Sequence, residues 1–143
     1  DSGFHLGIIS NNTLTNNTAN SNHQSGFYFE SSSNNTLTNN TACFNNDSGF
    51  YLESSSNNTL TNNTACSNND SGFYLYFSSN NNTFIHNTLN QSKDLYIDPS
   101  STYNLFYRNL FYNGSDYYID NKNETNMFNY TLSCGKVMGN YYE

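Results

Sequence analysis

The chain has 143 residues and a formal charge of −7, yet only 10% of its residues are charged, against a usual share of about a quarter. Four Lys and Arg in total exclude a nucleic-acid partner, because phosphate neutralisation needs clustered cations, and no apolar run approaches the ~18 residues of a membrane-spanning helix. Asn, Ser and Thr number 31, 20 and 14, a composition that by itself suggests disorder. Aromatic residues reach 17%, however, and the polar residues recur in a fixed order. The sequence has neither an initiator Met nor a signal-peptide pattern, so a processed chain or a fragment is expected.

In chain order, the first unit opens at Ser2-Gly3-Phe4 and carries the nonapeptide Asn11 to Ala19. The second opens at Ser25-Gly26-Phe27 and repeats the nonapeptide at Asn34 to Ala42. The third opens at Ser48-Gly49-Phe50, with Asn57 to Ala65, and the fourth at Ser71-Gly72-Phe73. The spacing is 23 residues each time. The fourth unit inserts one residue within Asn80 to Thr83 and continues through Phe84, Asn87 and Leu89. A fifth, near residue 95, follows at an offset of 22, with Phe106, Asn109 and Phe111 in phase. A sixth begins near residue 117 with Tyr117-Tyr118-Ile119-Asp120, and residues 121–143 read as a partial coil or cap.

Asn, Ser, Thr and Gly are poor helix formers. Segments such as Phe50-Tyr51-Leu52-Glu53 and Thr59-Leu60-Thr61 alternate with a period of two, punctuated by Asn-Asn and Ser-Gly turns. Short strands and turns recurring at this length predict an all-β, single-stranded parallel β-helix of about six coils over residues 1–120. Coils ~4.8 Å apart give a stack about 30 Å high. Alternation then places four apolar ladders inside: Phe4/Phe27/Phe50/Phe73/Leu95/Tyr117, Leu6/Phe29/Leu52/Leu75/Ile97/Ile119, Leu14/Leu37/Leu60/Phe84/Phe106 and Ala19/Ala42/Ala65/Leu89/Phe111. Asn17, Asn40, Asn63, Asn87 and Asn109 form a structural ladder whose amides hydrogen-bond along the stack.

The units typified by Ser48 to Asp70 resemble the right-handed parallel β-helix repeat family that includes NosD-like and carbohydrate-binding/sugar-hydrolase modules, common in secreted archaeal surface proteins. The resemblance covers residues 1 to about 120. The tail resembles the family's closing segment at Asn126-Met127-Phe128-Asn129 and Gly139-Asn140-Tyr141-Tyr142, where relatives often carry Trp and this chain has none. Right-handedness is what the resemblance implies. Relatives are linked with copper-enzyme maturation, but no Met/His/Cys cluster is apparent here: His5, His23 and His86 occupy different phases, and Met127 and Met138 are unrelated in register.

Tyr28, Tyr51, Tyr74, Tyr96 and Tyr118, with His5 at the first coil, form an outward strip. It reads either as mutually supporting surface rings or as an interface for protein or sugar. Glu30/Glu53 and Asp98/Asp120 lie two residues beyond it as stacked like charges, open to solvation or to a bridging calcium ion. No other metal or cofactor is predicted. No enzyme is expected either, since residues 1–92 hold no Lys or Arg to act as a base or electrostatic stabiliser.

Cys43 and Cys66 share a phase beside inward Ala residues and are expected to point outward. Their spacing lies inside disulfide range, although in-register stacking suits the bond poorly. Cys134 makes the count odd, leaving a thiol free or paired between chains. Among many Asn-x-Ser/Thr sequons, Asn81, Asn90, Asn113 and Asn123 are the preferred glycan sites, because a glycan is wider than one coil. The reading is an extracellular structural protein, a subunit or segment of a self-assembling filament, sheath or surface layer, forming a homo-oligomer or homopolymer. The alternative is a polysaccharide-binding module using the Tyr strip.

Overall fold

The computed structural model describes residues 1–112, 119–131 and 137–142. Every regular element among them is a strand. Three parallel sheets wind along one axis. One contains Phe4–Gly7, Phe27–Glu30, Phe50–Glu53, Ser71–Tyr76, Lys93–Ile97 and Ile119–Asn121. The second contains Thr13–Thr15, Thr36–Thr38, Thr59–Thr61, Thr83–Ile85 and Leu105–Tyr107. The third contains Thr41–Cys43, Thr64–Cys66, Thr88–Asn90, Leu110–Phe111 and Tyr141–Tyr142. The molecule is a parallel β-solenoid.

Coil pairing follows the repeat phase. Phe27, Phe50, Phe73 and Leu95 stand in one inward column, and Phe29, Leu52, Leu75 and Ile97 in another, all at 1% exposure or less. Leu37, Leu60, Phe84 and Phe106 line the second sheet, and Ala42, Ala65, Leu89 and Phe111 the third. Burial of these columns is the main driving force for a chain otherwise so polar. The Phe106 ring stacks on Phe128 at 5.1 Å and Phe111 on Tyr142 at 5.4 Å, so the tail carries two core columns onward.

The Asn-Asn pairs divide the work at the corners. Asn11, Asn16, Asn34, Asn39, Asn57, Asn62 and Asn81 are exposed and left-handed, with φ between 54° and 61°. Asn adopts that conformation at low cost. The second member of each pair turns inward, and Asn35, Asn40, Asn58, Asn63 and Asn82 are all buried. Glycine serves a different need. A Cβ on Gly26 would lie 2.8 Å from the Ala42 Cβ and 2.8 Å from the Gly49 carbonyl oxygen, so the Ser-Gly-Phe phase requires Gly for close packing.

The last coil departs from expectation. Leu95 pairs with Ile119, Tyr96 with Asp120 and Ile97 with Asn121, two residues later than the simple 22-residue offset. A slip of two preserves which side chains face inward, so the alternation pattern is blind to it. Ile119 therefore continues the Leu95 column, and not the Ile97 column as the simple offset would have it. Tyr117 and Tyr118 themselves lie outside the described residues.

Candidate functional site

The Tyr strip is a continuous stack on the outer face of the first sheet. Centroids are 4.8 Å apart from His5 to Tyr28, 5.1 Å from Tyr28 to Tyr51, 4.9 Å from Tyr51 to Tyr74 and 4.5 Å from Tyr74 to Tyr96. The four Tyr side chains are half-buried. The strip ends at Tyr96, because Asp120 stands opposite it, and Tyr118 is not among the described residues.

Acidic groups border the stack. Tyr28 Oη donates to Glu53 Oε2 at 2.6 Å, and Glu30 Oε2 lies 3.0 Å from His5 Nε2. Burial, then the Glu53 contact, push the Tyr28 phenol well above its usual range; burial and the Glu53 charge do the same to Tyr51. Burial, reinforced by Tyr96, pushes Tyr74 up to about 12. All three rings stay protonated near neutrality.

The expected Asp98/Asp120 stack does not form, because of the two-residue slip. Asp98 is buried and caps a turn, with Oδ1 accepting from the backbone N–H groups of Ser100 and Ser101. Asp120 pairs with Lys122 at 2.6 Å. Glu30 and Glu53 do follow one another in register. Among the described residues, no group of three or more His, Cys, Asp or Glu is placed to hold a metal ion.

The amide network is larger than the single expected ladder. In the column Asn17, Asn40, Asn63, Asn87, Asn109, each Oδ1 beyond the first accepts from both the backbone N–H and the Nδ2 of the preceding coil, at 2.8–3.1 Å. Asn140 extends it. A second ladder runs Asn12, Asn35, Asn58, Asn82, Asn104, Asn126. A third runs Asn22, Asn45, Asn68, Gln91. Ser32, Ser55, Ser79 and Ser101 form a fourth column, of hydroxyls accepting backbone N–H groups. The sequence signal for these was present in the Asn-Asn pairs, whose two members look alike until one is seen to occupy the corner.

The ladders have unlike ends. Among the described residues nothing donates to Oδ1 of Asn12, Asn17 or Asn22. At the other end the donors fold back on the chain: Gln91 Nε2 to the Lys93 carbonyl, Asn126 Nδ2 to Asn121 Oδ1 and the Asn123 carbonyl, and Asn140 Nδ2 to the Phe128 carbonyl.

Cys43 and Cys66 form a disulfide, with Cα atoms 4.6 Å apart. Cys43 is 4% exposed but stands outside the core cluster that its neighbour Ala42 joins, and Cys66 is half-buried. Cys134 lies outside the described residues. Asn81 and Asn90 are exposed. Asn123 is half-buried and donates to the Pro99 carbonyl at 2.8 Å, and Asn113 lies outside the described residues.

Two features were not anticipated. Phe44 is 64% exposed in a left-handed corner, at the edge of a shallow groove lined also by Asn46, Ser67, Asn69 and Asn90. Asp94 occupies the Gly phase of the first sheet and is fully buried, and that burial pushes its carboxyl up to about 7.

The family model described as periplasmic copper-binding protein (NosD) matches residues 1–143. No curated protein and no solved structure matches. The described residues do not suit copper. Cys43 and Cys66 are consumed in a disulfide. Where His86 and Met138 approach a common group, that group is a guanidinium: Arg108 lies 3.3 Å from His86 Nε2 and 3.5 Å from Met138 Sδ. A fixed cation between two ligands opposes a metal ion.

Proposed function

The chain belongs to the NosD family, and on that footing we propose that it is a non-catalytic, extracytoplasmic structural solenoid, a rigid segment of a surface layer or sheath. The observation that supports this reading is the unbroken amide ladder system. Buried side-chain amides are satisfied from coil to coil, and their hydrogen bonds rigidify a stack that, among the described residues, presents no converging acid, base and nucleophile. Membership of a family described as periplasmic supports a location outside the cytoplasm, and the disulfide suits an oxidising compartment. No described helix is long and apolar enough to cross a membrane.

Assembly with identical chains would use the side faces rather than the ends. Head-to-tail stacking requires amide donors at the C-terminal face, and those of Gln91, Asn126 and Asn140 already serve their own chain. Negative-stain microscopy of the native material tests the reading: ordered sheets or laterally packed rods are expected, and discrete monomers at high concentration would overturn it.

A second reading, polysaccharide binding, draws on the half-buried Tyr stack and on the exposed Phe44 beside Asn46 and Asn69. Aromatic faces and amides are the groups that recognise sugar rings and hydroxyls. Glycan titration followed by Tyr fluorescence separates the two. A saturable change in a monomeric protein favours binding, and no response removes it.

A further inference from the structure

Copper(I) is held by thiolate, thioether and imidazole ligands. The chain has three Cys, three His and two Met. Cys43 and Cys66 are joined in the disulfide, and His5 is engaged by Glu30 and stacks on Tyr28. An imidazole and a thioether do converge at one corner of the solenoid, and the repeat shows how that corner came to differ.

Thr61, Ile85 and Tyr107 stand in register on the second sheet. The residues that follow them, Asn62, His86 and Arg108, therefore continue the corner column that begins with Asn16 and Asn39. All five are left-handed, with φ between 54° and 58°. In the first three coils the column carries a short, exposed amide. In the next two it carries an imidazole and then a guanidinium. The Arg108 guanidinium lies 3.3 Å from His86 Nε2, one coil earlier, and 3.5 Å from Met138 Sδ in the tail. The backbone N–H of Arg108 also holds the tail, donating to the Gly139 carbonyl at 2.8 Å.

A guanidinium donates and cannot accept, so the lone pairs it meets on His86 Nε2 and Met138 Sδ are the ones a metal ion would need. Its charge is permanent. A copper(I) ion sharing this corner at about 4 Å from that charge would lose about a thousandfold in affinity near a protein surface.

We propose that Arg108 is a built-in cation in the place of a metal ion: it occupies the lone pairs of His86 and Met138, fastens the tail to the fourth coil and closes this corner to copper(I). The described solenoid then works without the metal that its family's description carries. Neither reading above depends on copper, so the inference stands apart from both.

The test is competition for Cu(I) against bathocuproine disulfonate, with ascorbate as reductant and Cys134→Ser in every sample so that no free thiol contributes. With Arg108 intact, the protein should surrender all its Cu(I) to the chelator. Arg108→Met removes the charge and adds a thioether, and should hold Cu(I) at least a hundredfold more tightly. Arg108→Lys keeps the charge and should gain nothing. His86→Asn, the residue the repeat uses in this column, should abolish the gain when combined with Arg108→Met. Without copper, Arg108→Met should have a lower Tm than the protein with Arg108, and Cu(I) should restore it. Retained far-UV circular dichroism shows that the variants fold, and the first measurement needs no change at residue 108. A chelator-resistant Cu(I) ion with Arg108 intact, or equal Cu(I) affinity in folded Arg108→Met and Arg108→Lys proteins, would overturn the proposal.

Discussion

The first four coils and the region beyond residue 92 solve the same packing problem with different means. The early coils are near copies. Small Gly and Ala residues let them approach closely, and every turn has an Asn whose amide passes to the next coil. The Ala column already widens to Leu89 in the fourth coil, and the later region has the bulkier Phe111 there and a buried carboxyl, Asp94, in the Gly column. It also holds all the Lys and Arg. The difference teaches that the amide ladders outlast the repeat: two of them run on from Asn104 to Asn126 and from Asn109 to Asn140 while the packing residues around them change.

The largest effect should come from cutting a ladder in its middle. Asn63→Leu strips the acceptor from the Asn40 backbone N–H and from Asn40 Nδ2, and the donor from the Leu37 carbonyl. At 1–3 kcal/mol for each buried group left unpaired, the loss is about 4 kcal/mol, measured by denaturant unfolding. The equivalent change at the ladder end, Asn140→Leu, should cost clearly less, and equal costs would break the comparison.

Next comes the disulfide, which ties two of the near-identical coils. Closing a 23-residue loop contributes about 3 kcal/mol in the chain-entropy account. Cys43→Ser with Cys66→Ser should lower the Tm in non-reducing buffer to the value that reduced wild type shows.

Asp94 gives a smaller effect with a definite sign. Burial raises its folded pKa from the ordinary 3.8 to about 7, so between those values the folded state holds the proton that the unfolded state has released. Stability must then fall as pH rises from about 4 to about 7 and level off above. Asp94→Asn should flatten that slope and stabilise the protein at pH 8 by about 2 kcal/mol, half of what the full shift would imply. An unchanged slope would mean that the carboxyl is better solvated than its burial indicates. Smallest of all, Lys93→Ala should cost less than about 1 kcal/mol, and high salt should erase the cost, because the Lys93–Asp70 pair is partly exposed.

Much of the fold was legible because stacking turns sequence period directly into spatial register. Four apolar columns, the outward Tyr side chains and one Asn ladder follow from residue phase alone. Two kinds of information were hidden. The twin residues of an Asn-Asn pair differ only in backbone conformation, so Asn35 and Asn58 read as turn residues although they are buried amides. The even slip at Ile119 preserves alternation, so the Asp98/Asp120 pairing and the end of the Tyr strip could not be placed from the pattern. The candidate site was legible as a strip of rings but its acidic border was not, because Tyr28 meets Glu53 of the next coil only through the winding of the solenoid.

The account's central claim is that buried amide ladders hold the solenoid together as one unit. Hydrogen exchange of Asn side-chain Nδ2 protons, followed by NMR, tests it most directly. The ladder amides of Asn40, Asn58, Asn63 and Asn82 should exchange slowly and together, limited by global unfolding, while the corner amides of Asn39, Asn57, Asn62 and Asn81 exchange at the rate of free amides. Ladder and corner side chains exchanging equally fast would contradict it.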